Sequence, residues 1–329
     1  FGIFNEVDHV HSPHTPEEIF RAVAGFAAGV KSVDRDAIVL SPSIGGTPMD
    51  VDRADKFLLS LSPLFKRGLL DGLNLHSYHD YKPNKPHYSA IDDDATWSPT
   101  RNFLRAKRIA KLGSKTRLAA GEFNYRNWMG SDTEQAAGFM TAMWDQLMVT
   151  ASESLPSPRV QLFSVPYNIP DARPGRQTTM AARFDWQPGG DYEFEPNAKG
   201  LILQEQVRLT KGMRFVRVDS HRSATAVLKG RGRTAWVWHN REAFSSLANK
   251  EVKLVGLPAE TRRLRVVTAA NTLAKKSNVM PIEPVDGSVR IPSELLPDNE
   301  TVLIMVDAMD SSDDEAIEIL NPANQDLIK

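Results

Sequence analysis

A chain of 329 residues is long enough for one large or two ordinary domains, each with room for a core. With 41% hydrophobic residues, 25% charged residues and a formal net charge of -1, it offers no electrostatic reason to expect a nucleic-acid or membrane partner; a small molecule or polymer of neutral or mild charge is expected. The lack of cysteine excludes disulfides, thiolate nucleophiles and Cys-based zinc sites, and no apolar stretch approaches the roughly 20 residues that span a bilayer.

The chain starts directly in an apolar run, Phe1-Gly-Ile-Phe4, and reads as a fragment whose upstream part would carry any secretion signal. A secreted or periplasmic location is expected rather than a cytoplasmic one. From residue 1 to about 212, short apolar runs alternate with longer amphipathic ones, the pattern of strands and helices in a parallel α/β sheet. Strands are expected at Gly2–Asn5, Ala37–Ser41, Gly72–His76, Arg117–Glu122 and Val160–Val165. Helices are expected at about Thr15–Val33, Val51–Gly68, Ser98–Leu112, Thr133–Thr150 and Asn197–Lys211. The first helix is the best signalled, because Thr15-Pro16-Glu17-Glu18 combines an N-cap, a proline at the first helical position and acidic residues in the first turn.

The strand bodies read as continuous apolar runs, as when both faces are buried, with polar and aromatic residues crowding the segment after each. These segments are Asn5-Glu6-Val7-Asp8-His9, Ser41-Pro42-Ser43-Ile44-Gly45-Gly46, His76-Ser77-Tyr78-His79, Glu122-Phe123-Asn124-Tyr125-Arg126 and Ser164-Val165-Pro166-Tyr167-Asn168. In a β/α barrel such strand ends line the active-site face. After about Gly212 the texture changes to short alternating segments at Arg214–Val218, Ala224–Lys229, Thr234–His239, Val252–Leu254, Arg263–Thr268, Gly287–Ile291 and Thr301–Val306. Turns rich in Gly, Pro, Asn and Asp separate them, which predicts an antiparallel β-sandwich over residues 213–308. Trp236 and Trp238 fall on one strand face and are expected to fill that domain's core or its seam with the barrel. Residues 309–329 open with the acidic run Asp310-Ser-Ser-Asp-Asp-Glu315 and predict a loosely held tail.

Glycoside hydrolysis needs two carboxyl groups flanking one bond, one to protonate the leaving oxygen and one to act as nucleophile or base. Glu6 and Glu122 each follow a strand directly and sit among polar and aromatic residues. Tyr125, Trp128, Tyr167 and Trp186 lie after strands or in the following loops, where they could stack on the apolar faces of sugar rings. His76 and His79 could bond substrate hydroxyls or tune a carboxylate. The spacing of His9, His11 and His14 around Pro13 makes a poor chelate, so neither a metal nor any other cofactor is expected.

These motifs resemble glycoside hydrolase clan A. Asn5-Glu6 after Gly-Ile-Phe resembles its strand-four acid/base signature, Ala119-Ala120-Gly121-Glu122-Phe123 its strand-seven nucleophile, and His76-Ser77-Tyr78 its strand-six end. The appended sandwich is similar to that of family 39, family 30 and family 86 members. The resemblance implies a (β/α)8 TIM barrel represented by strands four to eight over residues 1–212. Its three earlier strands, with the strand-two Arg, would come from the upstream chain or a second chain. Phe163-Ser-Val-Pro-Tyr167 stands where the clan has its strand-eight Trp.

It also implies that Glu6 is a general acid/base with a raised pKa, Glu122 the ionised nucleophile, Asn5 a ligand of the sugar 2-hydroxyl and Tyr78 a donor to Glu122. The implied reaction is retaining hydrolysis of a β-linked plant or algal polysaccharide or oligosaccharide. The competing expectations are a non-catalytic carbohydrate-binding or scaffolding descendant, whose carboxyls would be far apart or held in salt bridges, and a metal-dependent barrel hydrolase using the histidines.

Overall fold

The computed structural model describes residues 1–9, 12–45, 51–79, 105–113, 116–125, 130–151, 181–185, 193–219, 225–239, 251–257, 259–276, 278–297, 300–307 and 316–320. The chain divides into two compact units. The first comprises Phe1–Asp80, Tyr88–Arg126 and Asp145–Tyr167, the second Tyr81–His87, Asn127–Trp144 and Asn168–Lys329.

In the first unit, α1 (Pro16–Val33) begins where its signals predict. The Thr15 hydroxyl accepts from the Glu18 N–H at 3.3 Å while the Glu18 carboxylate accepts from the Thr15 N–H at 2.8 Å, a reciprocal capping box. Ile19, Val23 and Ala27, spaced by four, form its buried stripe. They share a core with Phe57, Leu58, Leu61 and Leu64 of α2 (Val51–Lys66) and with Val39, Leu73 and Leu75. Gly68, in the left-handed region at φ 69, ends α2 by letting the Leu69 N–H return to the Leu64 carbonyl at 3.0 Å. Residues 105–109 are helical, and Arg105 ties them to α2 through Asp55. The earlier part of the helix expected at Ser98–Leu112 lies outside the described residues.

Strands β1 (Leu40–Ile44), β2 (Gly72–His79) and β3 (Arg117–Tyr125) form a parallel sheet in chain order. Their N-terminal ends are gathered by Asp71. Its carboxylate accepts from the Val39 N–H and from Lys31 of α1, both at 2.8 Å, its N–H donates to the Val39 carbonyl and its carbonyl accepts from Arg117. Residues 1–5 lie along β1: Leu40 donates to the Phe1 carbonyl at 2.8 Å and Ser43 to that of Phe4 at 3.4 Å. The regular strand expected at Gly2–Asn5 is not formed, because Phe4 (φ 67) and Glu6 (φ 42) leave the extended region.

The other strands are displaced from, or longer than, their apolar runs. The run expected at Ala37–Ser41 pairs instead over Leu40–Ile44, while β2 and β3 continue through His79 and Tyr125. Residues expected just beyond the strands are therefore inside them. Nor are both faces apolar. Leu73 and Leu75 join the core beneath the helices, whereas Asn74 and His76 alternate to the opposite face.

The second unit includes residues 132–144 of α3 (Asp132–Ala151), a largely apolar stretch with Phe139, Met140, Met143 and Trp144 buried. The Trp144 indole donates to Gln206 of α4 (Ala198–Thr210) at 3.0 Å, and Thr141 bonds Thr301 at 2.7 Å. A two-stranded ribbon, β4 (Ala181–Asp185) with β5 (Glu193–Pro196), precedes α4, and the strand expected at Val160–Val165 lies outside the described residues.

The remaining strands are β6 (Arg214–Asp219), β7 (Thr225–Gly230), β8 (Arg233–His239), β9 (Glu251–Val255), β10 (Arg263–Val267), β11 (Asn278–Pro281), β12 (Val289–Ile291), β13 (Thr301–Asp307) and β14 (Ala316–Leu320), with the short helix α5 (Ala269–Leu273) after β10. They form an antiparallel six-stranded sheet, β11-β10-β13-β8-β7-β6, and a three-stranded one, β12-β9-β14. The tight turn between β7 and β8 places both Arg231 (φ 53) and Gly232 (φ 67) in the left-handed region, which suits the right-handed twist of a hairpin.

Trp236, Trp238, Leu264 and Ile304 of the larger sheet share one core with Leu254, Val289 and Ile291 of the smaller. Within the tail expected from residue 309, Ala316–Leu320 forms β14 and pairs along β9, and the rest lies outside the described residues. Ile317 and Ile319 supply the alternating apolar positions that the preceding acidic run obscured.

Two groups of this unit are removed from water at a cost. Burial lowers Lys199, in the first turn of α4, to a pKa of about 7 and raises Glu300, just before β13, to about 7. One Glu300 carboxylate oxygen is buried with no hydrogen-bond partner among the described residues. A carboxyl raised on folding keeps its proton in the folded chain while the unfolded chain loses it, so stability falls as pH rises from about 4.5 to about 7. Glu300→Gln should remove that slope and be more stable at pH 8, relative to its effect at pH 4, by about 3 kcal/mol, as read by urea denaturation at both pH values.

Candidate active site

The polar face of the parallel sheet carries the site. Ser43 of β1 pins the segment before α1: its hydroxyl accepts from the Glu6 N–H at 3.0 Å and donates to the Asn5 side-chain oxygen at 2.9 Å, while its carbonyl accepts from Val7 at 3.3 Å. With Glu6 held in the left-handed region, its carboxylate reaches β2 and meets Nδ1 of His76 at 2.9 Å. The His76 side chain is 2% exposed and that of Glu6 27%, so the bond sits at the edge between protein and solvent.

Asp8 stands beside this pair. Its carboxylate accepts from the Gly45 N–H at 2.7 Å, and a Cβ on Gly45 would lie 3.5 Å from Asp8 Oδ1 and 3.7 Å from Glu6 Oε1. Both carboxylates therefore lie over one backbone position at the end of β1.

Their environments drive the two acids apart. The hydrogen bond from His76 holds the Glu6 carboxyl below the ordinary glutamate range; burial opposes this, and the charges of His76 and His9 add to it. Burial raises Asp8 above its ordinary value against the Gly45 hydrogen bond, with repulsion from Glu6 as a smaller cause. The raised pKa expected for Glu6 is corrected: a histidine 70 residues away supplies a donor whose effect outweighs burial.

Glu122 enters through an irregularity in the β2–β3 ladder. Leu75 pairs with Ala120, but the next partner of β2, His76, pairs with Glu122, so Gly121 is the extra residue of a bulge. A Cβ at position 121 would overlap the Asn74 side-chain amide, which makes glycine the residue that fits there. The bulge brings Glu122 level with His76, the residue that holds Glu6.

Tyr78 pairs with Asn124, and His79 with Tyr125, further along the same ladder. By alternation along β2, position 78 shares a face with His76 and position 79 does not. The side chains of Tyr78, His79, Glu122 and Tyr125 lie outside the described part of the structure, as do residues Trp128, Tyr167 and Trp186 entirely.

The structure thus gathers Asn5, Glu6, His76 and the backbone of Glu122. It adds Asp8, Ser43 and Gly121, to which the sequence assigned no role, although all three stood within the motifs singled out. The signal for Asp8 was its place two residues after Glu6. Nothing local signalled the Ser43 contacts, which join segments 37 and 38 residues apart.

No family model matches the chain, and no curated protein matches it at a significant level. Solved structures do. A family 86 glycoside hydrolase in complex with neoagarooctaose aligns with a TM-score of 0.57 at 13% identity, covering 94% of this chain and 51% of that one. A family 30 endoxylanase from Clostridium papyrosolvens aligns with a TM-score of 0.52 at 12% identity, covering 93% and 64%. A family 39 glycoside hydrolase from the gut symbiont Bacteroides cellulosilyticus aligns with a TM-score of 0.52 at 16% identity, covering 93% and 57%. The chain spans between half and two thirds of the length of these structures. Its fold is that of the clan A-like glycoside hydrolases.

Proposed function

We propose that this chain is part of a retaining β-glycoside hydrolase acting on a plant or algal β-linked polysaccharide or oligosaccharide. Residues 1–212 would be strands four to eight of a (β/α)8 barrel and residues 213–308 a β-sandwich. The observation that carries this reading is the row formed by Glu6, His76 and Glu122: Glu6 is bonded to His76, and His76 is the register partner of Glu122. Parallel strands following one another in chain order, with helices on one face and polar groups on the other, support the barrel. The substrate class is supported by the fold neighbours, among them an endoxylanase and an enzyme solved with neoagarooctaose.

In this mechanism Glu122 attacks the anomeric carbon while Glu6 protonates the departing glycosidic oxygen. Glu6 then takes a proton from water as that water releases the sugar from Glu122. Retention requires the two carboxyl groups about 5–5.5 Å apart. Asn5 would bond the sugar 2-hydroxyl and Tyr78 would hold Glu122, with His79, Tyr125, Trp128, Tyr167 and Trp186 lining the sugar subsites. His76 acquires a sharper role, because its donation favours the ionised form of Glu6 and so sets the pH at which the acid loses its proton.

A second reading, a non-catalytic carbohydrate-binding descendant, is favoured by that same bond, which occupies the carboxylate that must act as acid.

Two experiments separate these readings, using the protein that contains this chain. On a panel of aryl β-glycosides and of marine and plant polysaccharides, Glu122→Gln should abolish turnover; unchanged activity would remove the nucleophile assignment. Glu6→Ala should cleave an activated aryl glycoside far better than a natural glycan, since a good leaving group needs no proton, and equal losses on both would count against the acid role. Loss of the donor in His76→Phe should raise the Glu6 pKa, seen in the carboxyl-carbon NMR titration of the protein without substrate, and should carry the alkaline limb of kcat/KM to higher pH. A Glu6 titration unmoved by this change would contradict the role given to the histidine.

A further inference from the structure

The six-stranded sheet carries a second polar feature, remote in sequence from the glutamates. Arg233 of β8 and Arg263 and Arg265 of β10 line one hollow of about 140 Å³, with Val279 of β11 and Met305 of β13. The sheet register explains the grouping. Arg265 is paired on one side with Met305 and on the other with Val279, while Arg263 lies two residues before it on the same strand face. Met305 pairs in turn with Ala235, two residues after Arg233 on β8. Three cations from two strands thus share one face around a floor of two apolar side chains.

Guanidinium groups so close together repel one another unless an anion lies among them. Among the side chains that are described, which do not include that of Asp307, none of the three arginines forms an ion pair with a carboxylate. Among the described residues, two acidic positions lie near them. Glu205 of α4 feels the charge of Arg265 but is already bonded by two nitrogens of Arg208, at 2.6 and 2.7 Å. Asp307 is the register partner of Arg233 on β13. Among the described residues, three positive charges stand around the hollow against one cross-strand acid, in a chain whose overall formal charge is -1. Arginine presents a planar fork of donors that matches a carboxylate or a sulfate group, and an apolar floor suits the ring bearing such a group.

We propose that the hollow formed by Arg233, Arg263 and Arg265 is a binding subsite for a carboxylate or sulfate group carried by an acidic glycan. The glycan part of this assignment rests on the glycoside hydrolase reading; the anion part does not. The subsite would select charged residues of a polysaccharide rather than perform chemistry on them.

The test measures binding alone, in a Glu122→Gln background, so that turnover plays no part. The probes are trigalacturonate, the same trimer with its carboxyls reduced, and inorganic sulfate. Calorimetry should show trigalacturonate binding that weakens as salt rises, about tenfold loss for each of Arg263→Gln and Arg265→Gln, and tighter binding in Asp307→Asn. Amide NMR shifts at Val279 and Met305 should follow the same titration. Equal binding of the reduced trimer, or affinity unchanged in both arginine variants, would overturn the subsite. Binding of sulfate with no binding of trigalacturonate would overturn the glycan assignment. If the arginine variants unfold, the Asp307→Asn arm still decides, since a subsite governed by charge must gain affinity there. Hydrolysis that persisted in Glu122→Gln would refute the catalytic reading without altering this result.

Discussion

Among the described residues the apolar core of the parallel sheet lies on one side, and the candidate site grows from that constraint. Helices α1 and α2 cover one face with Ile19, Val23, Phe57 and Leu61, taking Leu73 and Leu75 of β2 into the same core. The residues that alternate to the other face, Asn74 and His76, are polar, and polar groups withdrawn from water must be satisfied by one another. Ser43 bonds Asn5 and the Glu6 backbone, Glu6 bonds His76, and Asp8 bonds Gly45. The network that satisfies His76 is also what aims a carboxylate along the sheet, while the Asn74 amide oxygen stays buried with no partner among the described residues.

How much of this was legible in the sequence depended on how local each cause was. The start of α1 was readable to the residue, since its cap, proline and returning glutamate lie within four consecutive positions. The ends of β2 and β3 were not, because a parallel strand continues for as long as its neighbours offer hydrogen bonds, whatever the hydropathy of its own last residues. The direction of the Glu6 shift was misjudged for a related reason. Burial can be guessed from neighbours in sequence, but a hydrogen bond across 70 residues cannot. The bulge at Gly121 was equally hidden: a glycine before a glutamate has many uses, and only the paired strand shows that this one shifts Glu122 into line with His76.

The second unit shows the same division. Trp236 and Trp238 were readable as a core pair from their alternation, and they fill the space between the two antiparallel sheets. Both indole N–H groups are buried with no acceptor among the described residues, so each contributes its apolar area at the expense of an unmet donor. Strands β11 and β14 escaped notice because each is short and stands beside polar or acidic sequence. The arginines of β8 and β10 were unremarkable as a list, since arginine on a strand usually means a solvated edge. Register alone brings them to one place.

Asp71 has a bearing on how such a sheet is assembled. It joins Lys31, Val39 and Arg117, so the last turn of α1, the entry to β1 and the entry to β3 are gathered at the entry to β2. Each strand also pairs with the strand made just before it. The entropy of closing the connections between them grows only slowly with their length. The glutamate at position 6, made first, is aligned with the one at 122 only when the third strand has docked, and the polar face is completed by the last segment of the sheet to arrive.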